Sequence, residues 1–204
     1  MPESSPSTAP PVLSFERMLE CLRWMTMIRV FDDRMLKLQR QGRIGFVGTA
    51  TGLEASIIGS AAAFEERDWV FPALRESGAA LMRGMPLTEL VAQQFGNALD
   101  TSKGRQMPSH PQHRGSNWMS WSSCIGTQLT HAVGVAWGMK REGGGAVACA
   151  YMGDGASSST SFHSAATFAG AWNLPVVFVL IDNGWAISVP SAAQSAARSY
   201  GSKA

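Results

Sequence analysis

The sequence has little net charge, few cysteines and no long hydrophobic run. Its 204 residues carry a formal net charge of +2, which is too small to predict a nucleic acid or an acidic membrane surface as a partner. The three cysteines, Cys21, Cys124 and Cys149, lack the paired spacing of a zinc site or a disulfide framework, and we expect reduced, buried thiols. No run of about 18 uninterrupted apolar residues occurs, and the first residues lack the charged-then-apolar layout of a signal peptide. These absences predict a soluble, cytoplasmic protein.

The domain organisation follows from composition and periodicity. A hydrophobic content of 45% supports one substantial core, and residues 1–13, rich in proline, serine and threonine, are interpreted as a flexible tail. Apolar spacing and the placement of glycine and proline predict helices at 15–41, 52–64, 87–95 and 127–140, with Ser14 as the first N-cap, and strands at 69–71, 146–152 and 176–181. One more helix is expected between the last two strands. Residues 14–204 therefore read as one α/β domain with a mostly parallel sheet flanked by helices.

Two polar segments follow two of the predicted strands. Residues 153–156, Gly-Asp-Gly-Ala, come directly after an apolar strand, and residues 182–184, Asp-Asn-Gly, follow the next one along the chain. Because the carboxyl ends of adjacent parallel strands meet at one edge of a sheet, both segments are expected at the edge where α/β sheets bind ligands.

The residue types in these segments indicate a diphosphate and metal site. Gly153 and Gly155 let the backbone approach a bulky anion, and the start of the following helix offers N–H groups to it. Asp154 and Asn183 are hard oxygen donors of the kind that Mg²⁺ accepts beside a diphosphate. The alternative is a pair of surface turns. The paired buried strands and the matched interval between the segments favour the ligand site.

Five segments together carry a family resemblance. They are residues 34–46, residues 68–72 with Arg75 and Glu76, Leu99 with residues 103–108, residues 126–128 and residues 183–188. Their pattern resembles the alpha subunit of the first component of the 2-oxo acid dehydrogenases, which depend on thiamine diphosphate, and the branched-chain member is the nearest. The likeness runs from about residue 15 to about residue 190. It implies a thiamine diphosphate-binding fold.

The resemblance assigns a magnesium ion to the two polar segments. Asp154 and Asn183 are the implied side-chain ligands, and the backbone carbonyl of Trp185 is the implied third ligand. The resemblance also places thiamine diphosphate against this metal, as the main cofactor.

The resemblance further implies contacts to the diphosphate itself. Gly153, Gly155 and Ala156 are the implied backbone contacts. Arg75 matches an arginine that pairs with the diphosphate, a task suited to a planar fork of donors. An ordinary surface ion pair between Arg75 and Glu76 is the alternative.

The turn at residues 122–128 matches a turn that meets the rings of the cofactor. Ser123 and Ile125 are the implied contacts, with Ile125 as an apolar wedge that keeps the cofactor bent. The same turn resembles a potassium site built from Ser122, the carbonyl of Cys124, Thr127 and Gln128. For Thr127 and Gln128, helix capping and first-turn hydrogen bonding form the alternative.

The segment from Leu99 to Asn117 is irregular and basic, with His110 and His113 among glycine, proline and serine. An irregular segment of this length tends to be functional or mobile. It is interpreted as an exposed basic loop or as a rim of the active site or a subunit contact, and metal ligation by the two histidines is not expected.

The sequence also departs from the family pattern. Leu74 stands where the family has a tyrosine, and Ile181 stands where the branched-chain enzymes often have a cation. Family members continue well beyond the segment at 183–188, through a loop with a catalytic histidine. The chain is therefore expected to be an amino-terminal portion, incomplete at its carboxyl end, with no catalytic residue of its own.

The implied activity is oxidative decarboxylation of a small 2-oxo acid, with acyl transfer to a lipoyl group on an acyltransferase component. A beta subunit supplies the base in the family, within a heterotetramer, so the isolated chain is expected to be inactive. A pyruvate or acetoin dehydrogenase alpha subunit is the alternative within the enzyme class. A non-catalytic cofactor-binding or assembly module is the alternative outside it.

Overall fold

The computed structural model describes residues 13–203. Its longest helix, α1, spans Phe15–Arg40 and begins where the Ser14 hydroxyl accepts a hydrogen bond from the backbone N–H of Arg17 at 3.2 Å. A serine in this position satisfies one of the unpaired donors of the first turn, so the predicted cap is confirmed. The predicted flexible tail lies outside the described residues, except for Leu13.

Three parallel strands form the main sheet of the described chain. They are β1 at Trp69–Phe71, β2 at Ala148–Gly153 and β3 at Val176–Ile181, and β2 lies between the other two. The bounds of β1 and β3 match the sequence prediction. The parallel pairing of β2 with β3 is also as predicted, so the polar segments that follow them leave the sheet at the same edge.

Helices cover both faces of this sheet. After α1 come α2 at Glu54–Ala61, α3 at Ser77–Met82, α4 at Leu87–Phe95, α5 at Thr127–Glu142, α6 at Thr160–Ala171 and α7 at Ser191–Gln194. Helix α4 matches its prediction. Helix α2 is shorter than predicted, because Gly52 has a φ of +92° and the helix begins only after Leu53. Helix α3 was not predicted, since its six residues are too few to show a helical period.

Strand β2 separates two apolar cores, because successive side chains of a strand point to opposite faces. Cys149 and Tyr151 pack with residues of α1 to α4. Ala150 and Met152 pack with residues of α5 and α6. The buried Tyr151 hydroxyl lies 2.8 Å from the hydroxyl of Ser60 on α2, so its polar group is satisfied. The expected α/β fold is therefore confirmed.

The outer flank of the sheet is only partly covered. Among the described strands, β3 pairs along one edge alone, and Val177 is 47% exposed. On helix α5 and at the end of α6, which pack on the opposite face of the sheet from Val177, the side chains of Trp137, Phe168 and Trp172 are each close to half exposed. The Trp172 ring centroid lies 5.8 Å from that of Trp137 and 4.7 Å from that of Phe168. Val177 and this aromatic cluster thus present apolar surface to solvent.

The thiols differ in exposure. Cys21 and Cys149 are buried, as expected, but Cys124 is exposed, so the prediction of three buried thiols is wrong for that residue. Its position explains the difference, since Cys124 lies in the open turn before α5 and not within a helix or strand. In residues 13–203, none of the helices combines the length and the apolar character needed to cross a membrane.

Candidate functional site

A cleft of about 600 Å³ opens where β2 and β3 end. The sequence-predicted site residues that line it are Arg75, Ile125, Gln128, Gly153, Asp154, Gly155, Ala156, Asn183 and Trp185. The four that do not line it are Ser122, Ser123, Cys124 and Thr127. The edge of the sheet thus gathers residues from stretches that are far apart in sequence, as expected for a ligand site of an α/β fold.

Asp154 lines this cleft and is only 3% exposed. Its Oδ2 atom accepts hydrogen bonds from Gln194 Nε2 at 2.6 Å and from Ser191 Oγ at 3.3 Å. No donor from the described part of the chain reaches Oδ1. The carboxylate is therefore held by one oxygen, and the other is available to a cation. Sequence reasoning missed both donors, because nothing in the local pattern links α7 to Asp154.

Asn183 lies on a turn that leads into a short hairpin, formed by β4 at Trp185–Ala186 and β5 at Val189–Pro190. The Asn183 Oδ1 atom accepts the backbone N–H of Trp185 at 3.0 Å, and the side chain is exposed. Such local bonding by asparagine is typical of turns. An amide oxygen has two lone pairs, so this bond leaves Asn183 able to bind a cation as well.

Gly155 is tightly enclosed by this hairpin. A Cβ atom at this position would lie 2.8 Å from the Cβ atom of Ala186, which is too close for a non-bonded contact. At Gly153, in contrast, a Cβ atom would meet nothing within 4 Å. The backbone of Gly155 thus needs glycine for packing, whereas Gly153 borders open space.

Arg75 reaches the cleft from the chain that follows β1. Its guanidinium donates to the backbone carbonyl of Thr49, the only acceptor it reaches in the described part of the chain, which leaves other N–H groups for an anion. The side chains of Arg75 and Glu76 form no ion pair among residues 13–203. The alternative interpretation of Arg75, as one half of a surface ion pair with Glu76, is therefore wrong. Glu76 is 4% exposed, and burial raises the pKa of its carboxyl group to about 7.

The turn at residues 122–126 forms one side of the cleft through Ile125, which is 62% exposed. Behind it, Ser122 Oγ accepts the backbone N–H of Cys124 at 3.2 Å, and Thr127 Oγ1 donates to the Cys124 carbonyl at 2.8 Å. Ser123 Oγ lies 2.6 Å from a ring nitrogen of His110.

Gln128, in the first turn of α5, has one satisfied and one unsatisfied polar atom. Its Nε2 atom donates to the carbonyl of Tyr151 at 2.9 Å, and its Oε1 atom is buried without a partner in the described residues. A buried oxygen without a donor is uncommon in folded proteins, so Gln128 Oε1 is a candidate acceptor for a bound cation or water.

The irregular segment at 99–117 is partly buried, unlike an exposed surface loop. His110 and Ser109 are each 2% exposed, and the Gln93 side chain donates to the carbonyl of Met107 at 2.7 Å. Within residues 13–203, no three His, Cys, Asp or Glu side chains are grouped as a metal site.

The parallel sheet, with a cleft at the carboxyl ends of its strands, places the chain among the α/β ligand-binding proteins. The chain belongs to the dehydrogenase E1 component family, whose model matches residues 22–204. This confirms the resemblance drawn from the sequence.

Three relatives are similar to this chain over most of its length. The 2-oxoisovalerate dehydrogenase subunit alpha 2, mitochondrial, of Arabidopsis thaliana is 44% identical over 83% of this chain and 36% of its own length. The subunit alpha of Bos taurus is 39% identical over 90% of this chain and 40% of its own length. That of Caenorhabditis elegans is 40% identical over 86% of this chain and 41% of its own length. The chain thus spans about two fifths of the length of the curated relatives it matches.

The names of these relatives correct one expectation. Each is named as a mitochondrial subunit. The expectation of a cytoplasmic protein is therefore wrong. Its basis was the absence of a signal peptide and of long apolar runs, and neither absence distinguishes one internal compartment from another.

Proposed function

We propose that the chain is the cofactor-binding part of the alpha subunit of a thiamine diphosphate-dependent 2-oxo acid dehydrogenase. The proposed substrates are branched-chain 2-oxo acids, because the relatives are named 2-oxoisovalerate dehydrogenase. The proposed reaction is oxidative decarboxylation followed by acyl transfer to a lipoyl group. The observation that carries this proposal is the meeting of Arg75, Ile125, Asp154 and Asn183 in one cleft.

The donor set of the cleft fits Mg²⁺. Asp154 offers its Oδ1 atom and Asn183 its amide oxygen, and the resemblance adds the carbonyl of Trp185. Mg²⁺ prefers few protein oxygens and completes its shell with water and substrate phosphates. This preference agrees with a site in which Asp154, buried at 3% exposure, is the one carboxylate proposed as a ligand.

The proposed diphosphate site lies in the same cleft. The guanidinium of Arg75 is the proposed partner for the diphosphate oxygens, together with the backbone N–H groups of Gly155 and Ala156, which also line the cleft. Burial raises the pKa of the Glu76 carboxyl group to about 7, and this carboxyl group forms no ion pair with the Arg75 side chain in the described residues. The Arg75 guanidinium is therefore left to pair with an anion.

A monovalent cation fits the turn before α5. The proposed potassium ligands are the buried Oε1 atom of Gln128, which has no partner in the described residues, the hydroxyls of Ser122 and Thr127, and the carbonyl of Cys124. Thr127 Oγ1 and the Cys124 carbonyl already lie 2.8 Å apart. A cation there would coordinate an amide oxygen that is otherwise buried without a partner in the described residues, at a cost in free energy.

Bound thiamine diphosphate supplies a nucleophilic carbon and an electron sink for decarboxylation. The residues of this chain would bind and orient the cofactor. Ile125, which lines the cleft and is 62% exposed, would offer an apolar face to the rings of the cofactor. Asp154 is fixed by Gln194, so the metal ligand is oriented before the metal arrives.

The partners proposed are a beta subunit, joined with this chain in a heterotetramer, and a lipoyl-bearing acyltransferase component. We assign no proton-transferring base to this chain, and the resemblance assigns that task to a glutamate of the beta subunit. The isolated chain is therefore proposed to be inactive.

A two-part binding experiment tests the proposal. Calorimetry measures the binding of thiamine diphosphate with and without Mg²⁺, with the beta subunit present. Binding is expected for the wild type and is expected to be lost in Asp154→Ala. Asp33→Ala is the matched control, because Asp33 is exposed on α1 and its one ion pair within residues 13–203 is with Lys37.

Turnover then separates the remaining functions. Higher kcat/KM for 2-oxoisovalerate than for pyruvate or acetoin supports a branched-chain enzyme, and the reverse order supports the pyruvate or acetoin alternative. Failure to bind thiamine diphosphate, even with the beta subunit, would refute the proposal and favour a non-catalytic assembly module.

A further inference from the structure

Asp32 is a buried carboxylate of the long helix α1. It is 3% exposed and forms no ion pair among residues 13–203. A buried charge without a direct partner is costly unless hydrogen bonds or a nearby opposite charge compensate for it. The Oδ2 atom of Asp32 accepts the backbone N–H of Ala50 at 2.6 Å. This bond joins α1 to the chain segment that leads into α2.

The peptide group between Thr49 and Ala50 links Asp32 to Arg75. Its N–H donates to Asp32 Oδ2, and its C=O accepts a hydrogen bond from Arg75 Nη1. The C=O and N–H of a trans peptide point in opposite directions, so the carboxylate and the guanidinium lie on opposite sides of one planar group. Because both bonds polarise that group in the same sense, each strengthens the other.

The chain around this peptide group is fixed by two further contacts. Ser109 Oγ accepts the backbone N–H of Gly48 at 3.1 Å. A Cβ atom at Gly48 would lie 2.6 Å from Leu74 Cδ1, so this backbone packs directly on the residue before Arg75. Leu74 and Arg75 both line the cleft. The carbonyl of Thr49 is therefore a fixed anchor for the guanidinium beside the cleft.

We propose that Asp32 is a positioning residue, which holds the Thr49–Ala50 peptide group so that its carbonyl directs the Arg75 guanidinium toward an anion in the cleft. The inference rests on the proposed function, in which that anion is the diphosphate of the cofactor. The buried carboxylate then has a task, because its charge acts on Arg75 across the peptide group. Burial raises the pKa of Asp32 to about 6, and the charge of Arg75 opposes that shift, which agrees with an interaction between the two groups.

A double-mutant cycle on the chain with its beta subunit tests whether Asp32 acts through Arg75. Calorimetry at pH 8, where the Asp32 carboxylate is ionised, measures the binding of thiamine diphosphate with Mg²⁺ to Asp32→Leu, Arg75→Met and the double variant. Leucine branches at the same carbon as aspartate but accepts no hydrogen bond. We expect Asp32→Leu to weaken binding about tenfold, since it removes a hydrogen bond to a charged group.

The double variant decides between positioning and a general structural role. It is expected to bind as weakly as Arg75→Met and no more weakly, because the effect of Asp32 passes through the guanidinium. Losses that multiply would mean that Asp32 affects the site by another route, and would overturn the proposal. So would wild-type affinity in Asp32→Leu.

A conservative variant and a neighbouring residue supply the rescue and the control. The amide oxygen of Asp32→Asn can still accept the Ala50 N–H, so we expect this variant to bind more tightly than Asp32→Leu. Equal losses in the two variants would contradict the proposed hydrogen bond. Asp33→Leu is the matched control, because Asp33 is the next residue of α1 and is exposed, and it is expected to bind like the wild type.

A readout without cofactor separates this inference from the proposed function. Phenylglyoxal modifies arginine side chains, and mass spectrometry follows its reaction at Arg75. We expect this reaction to be about tenfold faster in Asp32→Leu, because the guanidinium loses its fixed anchor, and close to the wild-type rate in Asp32→Asn. That result supports the inference even if the wild type binds no thiamine diphosphate, which would refute the proposed function alone. Equal rates in the wild type and Asp32→Leu would refute the inference, whatever the chain binds.

Hydrogen exchange provides the test if melting shows that Asp32→Leu does not fold. Arg75→Met changes a side chain that lines the cleft and is not fully buried, so the core is left intact. The Thr49–Ala50 peptide group then keeps Asp32 and loses its other partner. We expect the Ala50 N–H to exchange about tenfold faster than in the wild type, and an unchanged rate would show that the two bonds are independent and overturn the proposal.

Discussion

Replacing Gln194 by leucine tests how the Asp154 carboxylate is held for a metal ion. The wild-type amide donates to Asp154 Oδ2 at 2.6 Å, and the second donor, Ser191 Oγ, is more distant at 3.3 Å. Leucine keeps most of the volume but donates nothing. Hydrogen bonds to charged groups contribute about 1.5–3 kcal/mol, and the loss of such outer partners typically weakens metal binding about 10- to 100-fold. We therefore expect the Mg²⁺ concentration needed for half-maximal binding of thiamine diphosphate to rise within that range.

The assay is a titration of Mg²⁺ at a fixed concentration of thiamine diphosphate, with the beta subunit present. Gln106→Leu is the matched control, because the amide of Gln106 donates at 2.8 Å to Ser120 Oγ, and neither residue lines the cleft. The melting temperature of each variant shows that the fold persists. Equal or tighter Mg²⁺ binding by Gln194→Leu would refute the reasoning, since it would mean that the amide competes with the cation for the carboxylate.

Three other predictions concern stability and reactivity. Gly155→Ala places a Cβ atom 2.8 Å from a neighbouring side chain and is expected to lower the free energy of unfolding by about 1–3 kcal/mol; urea denaturation should show a much smaller loss for Gly153→Ala. Because burial raises the pKa of Glu76 from 4.5 to about 7, its contribution to stability is fully present below pH 4.5 and is lost as the pH rises through about 7. Glu76→Gln should flatten that part of the pH profile of unfolding, and an unchanged slope would contradict the assignment. A thiol reagent should modify the exposed Cys124 rapidly. Cys149 is buried, and burial raises the pKa of its thiol to about 12, so it should react only on unfolding. Mass spectrometry of the labelled peptides identifies the modified residue.

The parts of the fold that the sequence predicted well have strong local signals. Strand β3, at Val176–Ile181, is a run of β-branched and apolar residues bounded by Pro175 and Asp182. Helix α4 begins after Pro86 and ends at Gly96, which has a φ of +59°. Because parallel strands end at a common edge, the predicted strands were also enough to bring Asp154 and Asn183 into one cleft.

The contacts that the sequence could not predict join residues far apart in the chain. Helix α3 has the sequence Ser-Gly-Ala-Ala-Leu-Met and lies against α1 and α2, so tertiary packing contributes to a helix that its own pattern does not indicate. The bond from Gln194 to Asp154 spans 40 positions, and that from His110 to Ser123 spans 13. Neither follows from periodicity, capping or motif spacing.

The outer edge of β3 has a practical consequence for work with this chain. Its backbone donors and acceptors on that side have no partner strand among the described residues, and Val177 on the strand itself is 47% exposed. An unpaired strand edge with exposed apolar side chains favours self-association. We expect the chain produced alone to sediment as concentration-dependent assemblies, and co-expression with the beta subunit to yield a single species if that subunit covers this edge.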